Sequence, residues 1–127
     1  MKNIVLIAGA FYGLISIILG ALGAHAFKKI LSVDKLLSFE TGVKYQMYHA
    51  LALLLLGFSL SFTSNLEKCA ACGMIIGTFL FSFSIYLLAF SEYWNVNLRI
   101  LGPITPMGGI CMIIGWACLL FYFIKSN

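Results

Sequence analysis

Charge is what this sequence has least of. Only 9% of its 127 residues are Asp, Glu, Lys or Arg, whereas a soluble domain carries about 25%. Too few charges remain to coat a globule for water, which excludes an ordinary soluble fold. Proline is scarce as well: Pro103 and Pro106 are the two in the chain, so long helices meet few interruptions. Acids are fewer than bases, four against eight, and no carboxylate pair is set up for acid–base work. The patterns G-x-x-x-x-G-K-[ST], H-E-x-x-H and G-x-S-x-G are all missing, which removes the motif-borne reasons to expect an enzyme. No contiguous basic face is visible. The lysines stand instead at the ends of apolar runs, a pattern that anchors a chain at a membrane surface rather than on nucleic acid.

What is abundant is apolar. The chain is 62% hydrophobic, with a mean hydropathy of +1.04. That composition predicts an all-α integral membrane four-helix bundle forming one domain over residues 1–127. The spans are expected at about 3–27, 42–62, 69–90 and 100–124. Lys2, the apolar run after it and Ala24-His25-Ala26 imitate a signal peptide. The run from Ile4 to Leu22 is longer than the usual h-region of about 7–15 residues, so a retained span is expected.

The first segment carries Gly9, Gly13, Ser16, Gly20 and Gly23 at alternating steps of four and three. Such a stripe of small residues lets helix backbones approach closely, which drives association in lipid. Ala70, Gly73 and Gly77 form a second stripe on the third segment. Residues 28–39, KKILSVDKLLSF, place Ile30, Val33 and Leu37 on one face, with Ser32 as a possible N-cap. This predicts a short amphipathic interfacial helix between helices one and two. The stretch LGPITPMGG holds both prolines. It predicts an irregular or re-entrant start to helix four, packed inside the bundle, before a regular helix from about Met107.

The polar residues collect in Glu40–Ala50, ETGVKYQMYHA. His25, Glu40, Lys44, Tyr45, Gln46, Tyr48 and His49 are the candidate polar interaction site. Glu40 and Lys44 are four apart, in the favourable order for an ion pair. Tyr45, Tyr48 and His49 share a helix face. Counted from Glu40, His49 lies about 14 Å along the helix, which predicts a site at one membrane face, near the hydrocarbon boundary, where His25 and His49 approach each other. Ionisable groups inside a membrane are suspected of function; the plainer reading is that these groups tie loop ends together at the interface. Two histidines supply too few ligands for zinc, so neither metal nor cofactor is expected.

The cysteines, at 69, 72, 111 and 118, lie in or beside apolar runs, unlike a secreted disulfide framework. Cys69 and Cys72 make a C-x-x-C, which keeps open a membrane thiol oxidoreductase. Cys111 and Cys118 are seven apart on one helix, too far to bridge. Five cations at Lys28, Lys29, Lys35, Lys44 and Arg99 face three at Lys2, Lys68 and Lys125, which favours the longer loops in the cytoplasm and both termini outside.

GALGAHAF at 20–27, ETGVKYQMYHALALL at 40–54, SFSIYLLAF at 82–90 and GPITPMGG with a following GW at 115–116 resemble the domain-of-unknown-function 423 family. These are small four-span membrane proteins of bacteria. The resemblance implies a four-helix protein of the bacterial cell (inner) membrane, and it brings no activity, substrate or catalytic residue. The expectation is a non-enzymatic bundle that interacts with membrane lipid, forms a homo-oligomer or joins a membrane-protein partner. A small transporter or channel subunit acting as an oligomer is the alternative, beside thiol chemistry at Cys69 and Cys72.

Overall fold

The computed structural model describes residues 1–126 and is all-α. Four long helices follow one another: α1 (Lys2–His25), α2 (Val33–Ser59), α3 (Asn65–Phe90) and α4 (Ile104–Ser126). Two single 3-10 turns, Phe27–Lys29 and Arg99–Leu101, stand in the α1–α2 and α3–α4 connections. Three stretches are long and apolar enough to cross a membrane: Lys2–Lys29, Asn65–Phe90 and Arg99–Ser126.

The helices pack in chain order. α1 lies on α2, α2 on α3 and α3 on α4, while α1 and α4 make no close backbone approach among the described residues. The molecule is therefore a folded row of helices rather than a closed bundle. Small residues decide where backbones meet. The α1 stripe faces α2: Gly9 lies against the Ala50 carbonyl and Leu54, Gly13 against Ala50, Gly20 against Val43 and Gly23 against Phe39. The α3–α4 seam is tighter. A Cβ on Gly77 would stand 2.6 Å from the Met112 nitrogen, and one on Gly115 would stand 3.0 Å from the Ala70 carbonyl. Gly108 faces the Phe81 backbone in the same way.

Three expectations change. Residues 33–39 are not a separate interfacial helix; they are the first turns of an unbroken α2, because no proline or glycine intervenes before Gly42 to stop a helix once begun. The prolines do not make a re-entrant start. α4 is helical from Ile104, and Pro103 and Pro106 are exposed rather than packed inside. Both sit where a helix has no use for an N–H, since its first four have no internal acceptor. Finally, α3 begins at Asn65 rather than near residue 69. Ser64 accepts from the Glu67 N–H at 3.2 Å while Glu67 accepts from the Ser64 N–H at 2.8 Å, a reciprocal capping box.

The ends away from the termini are tied by aromatic rings. Phe39, from α2, meets Phe27 at 5.3 Å, Tyr86 at 5.0 Å and Phe90 at 6.1 Å between centroids. The contacts with Phe27 and Phe90 are edge-on, a geometry that adds about 0.5–1.5 kcal/mol each beyond area. Outside them, Lys35 meets Glu92 at 3.8 Å, the single ion pair among the described residues. Its exposure makes it worth at most about 1 kcal/mol. Glu40 and Lys44 do not pair.

Candidate functional site

Gln46 is the polar centre of the structure. It is buried on α2, one turn past Gly42, and both ends of its amide are used. Nε2 donates to the Tyr12 carbonyl on α1 at 3.0 Å, and Oε1 accepts from the Tyr86 hydroxyl on α3 at 2.8 Å. Tyr12 in turn donates its hydroxyl to the Ile75 carbonyl of α3 at 2.7 Å. Ser82 donates to the Gly42 carbonyl at 2.8 Å. Three helices are thus joined through one side-chain amide, whose two-donor, two-acceptor character suits it to bridging.

His49 faces the other way, toward α4. Its Nδ1 stands 2.8 Å from the Tyr45 carbonyl, and its Nε2 stands 3.2 Å from the Trp116 indole nitrogen. A carbonyl can only accept, so Nδ1 carries the proton, and Nε2 accepts from the indole N–H. The contacts fit the neutral Nδ1–H tautomer. Tyr45 stacks on the same ring at 6.5 Å.

The depth of these groups differs from the sequence expectation. His49 lies about 24 Å along α2, since the helix starts at Val33 and rises about 1.5 Å per residue. Ala50 next to it touches Gly13, near the middle of α1, and Trp116 is near the middle of α4. Gln46 and His49 therefore sit halfway along the bundle, not at one end. His25 does not join them. It is exposed at the end of α1, with Nδ1 3.1 Å from the Ala21 carbonyl, and it borders a different hollow from His49. Lys44 and Tyr48 point outward, and Glu40 is half-buried. The stretch read as one polar site is split over several faces of one helix.

Two hollows flank this core. Because α1 and α3 both rest on α2, a groove of about 360 Å³ runs between them, walled by Phe11, Ile15, Phe79 and Phe83, with Gln46 and Tyr86 at its floor. A second, of about 320 Å³, lies between α2 and α4 over Phe81, with His49 and Trp116 on its rim. Among the described residues, no three His, Cys, Asp or Glu side chains gather as metal ligands. The sequence reading missed Tyr12, Tyr86 and Trp116. The signal for them was modest: each is an aromatic with a polar tip inside an apolar run, and such tips find partners when buried.

The model of a family described as a protein of unknown function, DUF423, matches residues 19–109. The chain belongs to the DUF423 family. It is 40% identical over 121 residues to a UPF0382 membrane protein of Staphylococcus haemolyticus, covering 94% of both chains. It is 36% identical over 125 residues to the UPF0382 membrane protein YwdK of Bacillus subtilis, covering 97% of this chain and 98% of that one. Similarity to the UPF0382 inner membrane protein YgdD of Escherichia coli is 35% over 120 residues, 94% of this chain and 88% of the relative. No solved structure matches the chain. This DUF423 member is a bacterial membrane protein with several candidate spans.

Proposed function

We propose that this DUF423 protein is a non-enzymatic, four-span membrane protein that holds an acyl chain of a membrane lipid in the α1/α3 groove. The observation that carries the reading is the groove itself. Its walls are Phe11, Ile15, Phe79 and Phe83, and its polar floor is already satisfied, since the Gln46 amide is bonded to Tyr12 and Tyr86. A solute with a polar head would have to compete with these internal bonds, whereas a methylene chain needs no polar partner. The exposure of Phe11, Phe79 and Phe83 leaves the groove open on the side where lipid would lie.

The four-span reading needs α2 to cross as well. From Gly42 to Ser59 it is about 27 Å long at about 1.5 Å per residue, close to the hydrocarbon thickness of about 30 Å. The earlier turns carry Asp34, Lys35, Ser38 and Glu40 beside Leu36 and Leu37, a composition suited to the headgroup layer. Lys28, Lys29, Lys35 and Arg99 lie in or close to the 26–32 and 91–103 connections, against Lys2, Lys68 and Lys125 at the opposite end of the helices, a balance that favours those connections on the cytoplasmic side.

The reading is tested by native mass spectrometry of the whole protein from mild detergent. One phospholipid should be retained by the wild type and lost from Ile15→Trp, whose indole fills the groove. A wild type that carries no lipid, or an Ile15→Trp variant that carries just as much, sinks the proposal.

A further inference from the structure

The cysteines take no part in the polar core, and the structure pairs them differently from the sequence motif. Cys69 on α3 and Cys118 on α4 bring their Sγ atoms to 3.0 Å, and both are free thiols. The helices can hold them there because this is the tight α3–α4 seam. Ala70, beside Cys69, turns its carbonyl to Gly115, and Gly73 lies against the Cys111 carbonyl and Gly115. Cys69 is exposed near the start of α3, and Cys118 is half-buried. Cys72 is exposed one turn further along α3.

We propose that Cys69 and Cys118 form a reversible dithiol site that reacts with a disulfide-bearing oxidant at the end of the molecule nearer the termini. Exposure assigns the roles: Cys69 attacks and Cys118 resolves. The Cys69 thiolate, having lost its proton, attacks one sulfur of the incoming disulfide. A bond forms between Cys69 and that sulfur, the donor's S–S bond breaks, and the far sulfur leaves as a thiolate that takes up a proton. Cys118, likewise deprotonated, then attacks the Cys69 sulfur. The Cys69–Cys118 bond forms, and the donor's second sulfur departs and is protonated. Two thiols of this chain have given up two electrons and two protons, and one donor disulfide has become two thiols. The second step is intramolecular and already at contact distance, so it outruns loss of the mixed disulfide by external thiols. The product staples α3 to α4. None of this depends on the lipid groove, which lies between α1 and α3.

The test treats the whole protein in mild detergent with oxidised glutathione, quenches with acid, alkylates the remaining thiols and maps the peptides. The expected wild-type product has Cys72 and Cys111 alkylated, no glutathione attached, and a peptide joining Cys69 to Cys118. Cys118→Ser should trap one glutathione on Cys69. Alkylation of all the cysteines in the wild type overturns the proposal. So does a peptide joining Cys69 to Cys72, or a disulfide between two chains. The wild-type map alone decides the pairing should Cys118→Ser fail to fold.

Discussion

Trp116 on α4 donates its indole N–H to Nε2 of His49 on α2 at 3.2 Å, joining two helices whose backbones make no close approach among the described residues. Removing one partner strands the other in apolar surroundings, at about 1–3 kcal/mol for a buried polar group. Interhelical hydrogen bonds within membranes average less, about 0.6 kcal/mol, because the unfolded reference also finds partners. We expect Trp116→Phe and His49→Leu each to lower stability in detergent, and the double variant to lose less than the sum. The check is a double-mutant cycle on thermal unfolding, with a coupling of about 0.5–1.5 kcal/mol. Strictly additive losses would mean that the contact contributes nothing.

Packing should outweigh these bonds at the α3–α4 seam. Gly77 and Gly108 face backbone atoms across it, whereas Gly109, next along α4, has nothing within 4 Å. A side chain at Gly77 or Gly108 must push two helices apart, because backbone cannot move aside like the end of a flexible side chain. Overpacking of that sort costs typically about 1–3 kcal/mol, occasionally more. Gly109→Ala meets no obstacle and gains helix propensity of roughly 0.5–1 kcal/mol. Expression and thermal stability in membranes should therefore fall for Gly77→Val and Gly108→Val and rise slightly for Gly109→Ala. Equal tolerance at all three positions would contradict the close approach.

Two buried polar residues on the α1–α2 contact should respond with opposite sign. Gln46→Leu removes the amide and orphans the Tyr86 hydroxyl, costing about 1–2 kcal/mol. Ser16 is 2% exposed, and its hydroxyl has no partner among the described residues. Ser16→Ala should be neutral or stabilising, since it removes an unpaired polar group while keeping a side chain small enough for the interface. A denaturant series on both variants checks the signs, and destabilisation by Ser16→Ala would reveal a bond that the present geometry lacks.

Helix number and type were legible because long apolar runs have few other solutions. The stripe from Gly9 to Gly23 was legible too, since period alone puts those residues on one face. The depth of His49 was not. It depended on the helix that begins after Ser32 running on into the span without a break, whereas the mixed residues 33–40 read as a separate interfacial helix. Gln46 and His49 were misread as neighbours in function because three residues along a helix turn them to different partners, Tyr12 and Tyr86 for one, Trp116 for the other. Those partners come from other helices, and spacing within one segment says nothing about them. The Cys69–Cys118 contact has the same origin. The C-x-x-C motif spans four residues of one segment, while the true neighbour of Cys69 lies 49 residues away.

The start of α3 offers a further test, because its signal was present in Ser64-Asn65-Leu66-Glu67 and its geometry is explicit. Glu67 is 1% exposed, and its carboxylate accepts from the Ser64 N–H at 2.8 Å and from the Thr63 hydroxyl at 3.4 Å. A capping interaction of this kind is worth about 0.5–2 kcal/mol. Glu67→Gln keeps an acceptor oxygen in the same place, so most of the cap should survive. Glu67→Leu leaves the Ser64 N–H and the Thr63 hydroxyl without it and should cost about 1–2 kcal/mol. Ser64→Ala removes the reciprocal bond to the Glu67 N–H and should cost about 1 kcal/mol. The order of thermal stability in detergent should run wild type, Glu67→Gln, Ser64→Ala, Glu67→Leu. A Glu67→Leu protein as stable as the wild type would show that burial of the leucine side chain outweighs the lost cap at this helix end.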